Sequence, residues 1–323
     1  MNKPIIVKSA CLENCKCRYD GSVIPSKIIR DLEPFVEFIN ICPEMSLGLS
    51  SPREALRIID KQDGLGERFV FSRSGGDMTQ EMKSFTKGYL EGLDKSQIDG
   101  FLLKSGSPSC GFKDVKKYRD FGKASKYNEK TKGFFGRSVV DMFGNLPIED
   151  EGRLSNFSIR EMYYTRIFMN AEFRSIAKTH YMKDLVKFHS EYKYLLMAYN
   201  QSALKTLGQI VSNGEKLKSN EVYERYSSEF SRVFERVGSP GKNVNMLLHL
   251  FGYFKKDLNV DEKAYFLEQI EMYTTHRIPL SVPLSIIYTW VVRYDEPYLK
   301  TQRIFNPFPR ELMMVTDSGK GRL

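Results

Sequence analysis

The residues best suited to chemistry are five cysteines, all of which lie before residue 111. Cys11, Cys15 and Cys17 fall within seven residues, whereas Cys42 and Cys110 lie far along the chain. Three thiolates brought to one point can hold Zn²⁺ or an iron–sulfur cluster. Zinc bound by three protein sulfurs normally has a fourth protein ligand, but a [4Fe–4S] cluster with three thiolates keeps one iron open. Such an open metal position can act on a substrate as a Lewis acid.

Three predicted strands each lead into one of these cysteines. The apolar runs are "IIVKSA" before Cys11, "EFINI" before Cys42 and "FLLKSGSPS" before Cys110. Ligands of an open parallel sheet gather beyond the carboxyl ends of its strands, so the three thiols converge if these strands are neighbours. Cys11, Cys42 and Cys110 are called the ligand triad below. The alternative is that Cys42 and Cys110 are small buried core residues at strand ends.

The apolar pattern predicts an α/β N-terminal domain with a mostly parallel sheet over residues 1–152. Strands alternate there with helical stretches such as "GDMTQEMKSFTKGYLEGLDKSQ", which is typical of a parallel sheet. The segment "SPREALRIID" is expected to start a helix or to be irregular. An acidic turn around Gly152 then predicts a domain boundary. Residues 153–323 carry apolar residues at helical spacing and predict an all-α C-terminal domain.

The charge is uneven between the two predicted domains. Through Gly152 the chain has 24 basic and 22 acidic residues, so +7 of the net charge of +9 lies in the second domain. A basic domain favours a polyanionic partner, with nucleic acid as the first candidate. No apolar run approaches the roughly 20 residues of a membrane-spanning helix, so no membrane partner is expected. The start of the chain does not resemble a signal peptide, and we therefore expect a cytoplasmic protein with reduced thiols.

Ordered motifs give the first domain a resemblance to a known family. "SACL", "CRYDG", "CPE", "PRE", "LLKSGSPSCG" and "PIEDEGRL" resemble the thiouracil desulfidase domain. "LVKFHSEYKYLLMAYN" and "YLKTQRIFNPFPREL" are similar to a helical domain that is often fused to it. The fused arrangement resembles the desulfidases that convert 4-thiouridine in tRNA to uridine. The chain has "LEN" where relatives usually have "LLG" after the first motif.

The resemblance implies roles for particular residues. The ligand triad would bind a [4Fe–4S] cluster with one iron not bound by protein, and desulfuration would proceed without redox change. Cys17 matches a position that commonly holds cysteine, whereas Cys15 matches none, so both are bystanders or spare ligands. Glu44 would be the catalytic base, although a turn carboxylate bound by backbone amides is the alternative. Ser107 would relay a proton or orient the substrate, although serine before proline is also ordinary turn chemistry.

The expected function is [4Fe–4S]-dependent desulfuration of 4-thiouridine in tRNA, with release of sulfide. The partners would be thiolated tRNA, or a small thiouracil-type substrate, and the iron–sulfur assembly machinery. RNA contacts are predicted for the lysine group, which is Lys183, Lys187 and Lys193. One alternative is desulfuration of free thiouracil, and another is a nucleic-acid-binding protein with a purely structural metal. Glu44 favours the enzyme, because a structural site needs no carboxylate beside an open metal.

Overall fold

A computed structural model describes residues 1–60, 66–234 and 240–314. The chain forms two compact units, of which the first is Met1–Arg174 with Phe308–Leu323 and the second is Ser175–Pro307. In the part of the chain that the model describes, no helix is both long and apolar enough to cross a membrane.

The first unit holds the strands and the first helices. Its strands are β1 (Ile5–Ser9), β2 (Glu37–Ile41), β3 (Leu56–Asp60), β4 (Glu67–Phe71), β5 (Gly100–Leu103), β6 (Val115–Tyr118), β7 (Lys126–Thr131) and β8 (Ile148–Asp150). Its helices are α1 (Lys27–Leu32), α2 (Pro43–Ser46), α3 (Thr79–Glu91), α4 (Phe134–Phe143) and most of α5 (Phe157–Ala177).

A parallel sheet of order β2-β1-β5-β8 lies at the centre of this unit and confirms the predicted α/β class. Its two central strands, β1 and β5, are buried on both faces, as expected when helices cover both sides. Ile6 faces a cluster with residues of α1 and α5, whereas its neighbour Val7 faces a cluster with residues of α3 and α4. The strands are therefore held between two helical layers, and their carboxyl ends are fixed on both sides.

A second sheet, of order β4-β3-β6-β7, was not predicted. Its β3 corrects the expectation of a helix or an irregular segment in "SPREALRIID". Leu56, Ile58 and Ile59 of β3 are buried, and the strand pairs antiparallel with β4 and parallel with β6. Pairing with the next strand, β4, and with the distant β6, together with burial of these apolar side chains, outweighs the local helical propensity of "REAL".

Helix α5 explains where the compact units divide. The sequence predicts a boundary at Gly152, but the first unit continues through Arg174. Tyr163 and Ile167 of α5 are fully buried in the cluster that contains Ile6. The apolar face of α5 thus completes the core beneath the parallel sheet, because that face of the sheet would otherwise be exposed to water.

In the described residues of the second unit, helices are joined by turns and loops, in agreement with the predicted all-α domain. Its helices are α6 (Met182–Glu191), α7 (Lys193–Tyr199), α8 (Gln201–Ser212), α9 (Ser219–Arg232), α10 (Pro240–Phe251), α11 (Val260–Thr274), α12 (Ser281–Arg293) and α13 (Pro297–Lys300). Capping residues mark the first residues of two of these helices. Asn200 caps α8, and Asn259 forms a capping box with Glu262 at the start of α11.

Candidate active site

A cavity of about 190 Å³ opens in the first unit beyond the carboxyl ends of β1, β2 and β5. The ligand triad lines it, together with Cys17, Glu44 and the segment 104–109. The cavity thus lies at the edge where open parallel sheets generally bind their ligands.

The sheet register brings the triad together. Ser9 pairs with Ile41, so β1 and β2 end level with each other, and the amide of Ala10 donates to the carbonyl of Ile41 at 2.8 Å. Cys11 and Cys42 follow these ends directly, while Cys110 reaches the same cavity through the loop after β5. Thiols distant in sequence thus share one wall.

Cys17 joins the same wall, and Cys15 does not. Cys17 is buried at 1% exposure, and its carbonyl accepts a hydrogen bond from the thiol of Cys42 at 3.8 Å. Hydrogen bonding with the Cys11 thiol raises the pKa of Cys17 to about 12. Cys15 is exposed. Of the two extra cysteines, Cys17 alone is therefore placed to serve as a spare ligand.

The thiols of Cys110 and Cys42 are also held protonated in the metal-free protein. Burial raises the pKa of Cys110 to about 12. Hydrogen bonding with Cys17, followed by burial, raises the pKa of Cys42 far above its ordinary value. Since a metal binds the thiolate, loading the site must release these protons.

Helix α4 holds the loop that carries Cys110. The amide of Phe135 donates to the carbonyl of Ser109 at 2.9 Å, and the amide of Phe134 donates to that of Pro108 at 3.1 Å. The contact is so close that a Cβ at Gly136 would lie 2.5 Å from the carbonyl oxygen of Cys110. The first turn of α4 therefore fixes the loop through backbone contacts.

Glu44 lies at the start of α2 and is 8% exposed. Its Oε2 accepts from Nε of Arg53 at 2.9 Å and from Nη2 of the same guanidinium. Its Oε1 accepts from the hydroxyl of Ser109 at 2.7 Å. No backbone amide binds the carboxylate in the contacts of the described residues. The interpretation of Glu44 as a turn carboxylate bound by backbone amides therefore has no support here.

Ser107 lies beside Ser109, whose hydroxyl contacts Glu44. Its Oγ accepts from the amides of Cys110 at 3.1 Å and Ser109 at 3.3 Å, and it lies 3.0 Å from the Oγ of Ser109. Ser109 therefore links the two predicted catalytic residues, although the motifs predict no role for it. The motif "SPSCG" contains it, and its position two residues after Ser107 was the only available signal.

Two further polar residues of the cavity wall, Lys104 and Ser105, are paired with Glu151. The Lys104 ammonium donates to Oε1 of Glu151 at 2.6 Å, and the same carboxylate accepts from the amide and hydroxyl of Ser105 at 2.9 and 2.7 Å. Tyr19 lines the opening with 46% of its surface exposed. An exposed aromatic ring beside a cavity offers a stacking surface for a flat ring.

The lysine group lies in the second unit. Lys183 and Lys187 are exposed on α6, and Lys187 lies 3.9 Å from Glu191. Lys193 begins α7 and holds its ammonium 5.4 Å from the ring centroid of Tyr194. His189 lies on α6, and its Nδ1 is 3.3 Å from the Tyr226 hydroxyl, so it is a hydrogen-bonded helix residue.

The donor set of the cavity is rich in sulfur, since the ligand triad and Cys17 all line it. Thiolate sulfur is the ligand that holds iron–sulfur clusters in proteins. The chemistry of these side chains is therefore compatible with an iron–sulfur cluster.

Comparisons with known proteins agree with the motifs. Residues 6–151 match the family described as 2-thiouracil desulfurase, and residues 193–309 match a family described as protein of unknown function DUF1722. The chain belongs to the 2-thiouracil desulfurase family and carries a fused helical DUF1722 domain.

Relatives match parts of the chain. YbbK of Bacillus subtilis 168 is 36% identical over 113 residues, which are 33% of this chain and 73% of YbbK. YbgA of Escherichia coli K12 is 27% identical over 127 residues, which are 39% of this chain and 75% of YbgA. A solved structure of the [4Fe–4S]-dependent thiouracil desulfidase TudS is 25% identical, covers 50% of this chain and 99% of its own, and has a TM-score of 0.39.

Proposed function

We propose that this protein hydrolyses the carbon–sulfur bond of a thiolated uracil with the help of a [4Fe–4S] cluster, and that its substrate is 4-thiouridine in tRNA. The observation that carries the proposal is the shared cavity. Three thiols from separate segments line it beside a buried carboxylate and a serine hydroxyl. A purely structural metal site would need only the thiols.

The ligand triad would hold the cluster, with Cys17 adjacent. When bound, the cluster would supply an open iron that attracts the soft sulfur of a thiocarbonyl and withdraws electrons from the neighbouring ring carbon. The protein would supply the rest of the chemistry. Glu44 takes up a proton from the attacking water, Ser107 orients that water, and Tyr19 gives the pyrimidine a surface on which to stack.

The second unit supports tRNA as the substrate rather than a free base. It has 18 basic and 14 acidic residues, a net charge of +4, and Lys183 and Lys187 of the lysine group are exposed. A small base has no use for such a surface, whereas tRNA phosphates do. Free thiouracil is the second candidate, because the cavity itself is large enough only for a small ring.

The test is desulfuration by protein reconstituted under anaerobic conditions. Equal concentrations of thiolated tRNA and 2-thiouracil are supplied, sulfide is measured, and nucleosides are identified by mass. We expect loss of 4-thiouridine, a matching gain of uridine, and a higher kcat/KM for tRNA. Glu44→Gln serves as the matched control, since it keeps the side-chain size but cannot take up the proton. A faster reaction on the free base would favour the second candidate, and no sulfide from either substrate would refute the proposal.

A further inference from the structure

Ser107, Ser109 and Glu44 form a continuous hydrogen-bonded row in the cavity wall. The two serine oxygens are 3.0 Å apart, and the Ser109 oxygen lies 2.7 Å from Oε1 of Glu44. Ser109 is 2% exposed, so water cannot easily replace it. Ser107 and Glu44 also line the cavity, so the row connects two points of its wall.

Counting protons fixes the direction of this row. A carboxylate only accepts, so the single hydroxyl proton of Ser109 is given to Glu44. The contact between the serines must then use the proton of Ser107, with Ser109 accepting it. The Ser107 oxygen also accepts from the amides of Ser109 and Cys110. Each hydroxyl proton therefore points towards Glu44, and negative charge on Ser107 would be stabilised by two amides.

We propose that Ser109 is a positioning residue that carries the proton from Ser107 to Glu44, so that Glu44 acts on the substrate water through the two serines. This inference rests on the proposed function and deepens it. Arg53 donates twice to Oε2 of Glu44, and Ser109 is the hydroxyl that contacts its other oxygen, Oε1.

The proton transfers balance without any redox partner. As the water oxygen bonds to the ring carbon, one water proton moves to Ser107, the Ser107 proton moves to Ser109, and the Ser109 proton moves to Glu44. Both serines are unchanged, and Glu44 is neutral. When the carbon–sulfur bond breaks, the Glu44 proton and the new hydroxyl proton leave with sulfur. Thiocarbonyl and water thus give carbonyl and hydrogen sulfide.

The experiment compares Ser109→Ala, Glu44→Gln and the double variant with wild-type protein. Each single variant should lower kcat by about 100-fold or more, the usual scale for an acid–base group, with KM unchanged. Because residues of one relay act as a unit, the double variant should be no slower than the slower single variant. Iron content and the equilibrium binding of 4-thiouridine should match wild type. Ser109→Thr, which keeps the hydroxyl, should recover most of kcat.

Ser138→Ala is the matched control, because among the described residues the hydroxyl of Ser138 bonds only to the carbonyl of Phe134 within α4 and does not line the cavity. Ser109→Cys keeps the volume with a weaker donor and provides the same test if alanine disturbs folding. Normal kcat in Ser109→Ala, or multiplied losses in the double variant, would overturn the relay. Wild-type protein without desulfuration would instead overturn the proposed function itself.

Discussion

Removal of the guanidinium beside Glu44 should destabilise the first unit strongly. Arg53→Met leaves the carboxylate buried, because the two side chains are only 6% and 11% exposed. Breaking a buried pair by removing one partner costs about 3–5 kcal/mol. In the double variant Arg53→Met/Glu44→Gln both side chains are neutral, so no buried charge is left without a partner. It loses mainly the bonds from Arg53 to the carbonyls of Cys17 and Ser50, or roughly 2 kcal/mol.

The assay must report on the first unit alone. The single tryptophan of the chain, Trp290, belongs to the second unit, so its fluorescence is unsuitable. Hydrogen exchange of peptides that cover β1, followed by mass spectrometry on the reduced, metal-free chain, measures the required free energy of unfolding. Arg53→Met should exchange about 30-fold faster than the double variant, since 1.4 kcal/mol is about tenfold. Equal exchange in the two variants would refute the idea that Glu44 is held as a charged group by Arg53.

Three further predictions concern the metal, the histidine and the charge of the second unit. Alanine at any one position of the ligand triad should abolish iron binding and the broad visible absorbance of anaerobically purified protein. The Cys15→Ala variant should keep both. Stoichiometric zinc in active protein would contradict this prediction. Burial lowers the pKa of His189 to about 4, whereas the unfolded value is about 6.5, so only the unfolded state takes up the proton between these values. The stability advantage of wild type over His189→Gln should therefore be present above pH 6.5 and shrink by about 3 kcal/mol as the pH falls to 4, measured by urea unfolding with Trp290 fluorescence. Changing all three residues of the lysine group to glutamine should weaken tRNA binding. The slope of the affinity against salt concentration should also fall by the equivalent of about three phosphate contacts. Unchanged binding would contradict an RNA role for these lysines.

The first sheet was predictable because its strands are short apolar runs, but the second sheet was not. β7 has the sequence "KYNEKT" and is mostly exposed, so it carries no alternation that a pattern could detect. β7 pairs with β6, and this pairing forms only when the chain folds. The sequence also predicted α5 as a helix, but periodicity cannot tell which core its apolar face completes.

The candidate site was predictable as far as strand ends and motifs allow. The ligand triad and Glu44 follow such ends and share one cavity. The contact between Glu44 and Ser109 joins residues that are 65 positions apart, and the direction of its proton follows from the carboxylate, which only accepts. Local sequence contains no signal for this contact, since it forms only when the chain folds.

The position of β1 between β2 and β5 has a consequence for how relatives can vary. The triad is spaced by the lateral separation of hydrogen-bonded strands, not by the number of residues between cysteines. Evolution is therefore free to lengthen the connections at the amino ends of these strands, such as the turn at Lys95–Gln97, without moving a thiol. Deleting one residue between Leu103 and Cys110 would shift a ligand and both serines together. A search for distant members should hold the strand-to-cysteine intervals fixed and leave the distances between cysteines open.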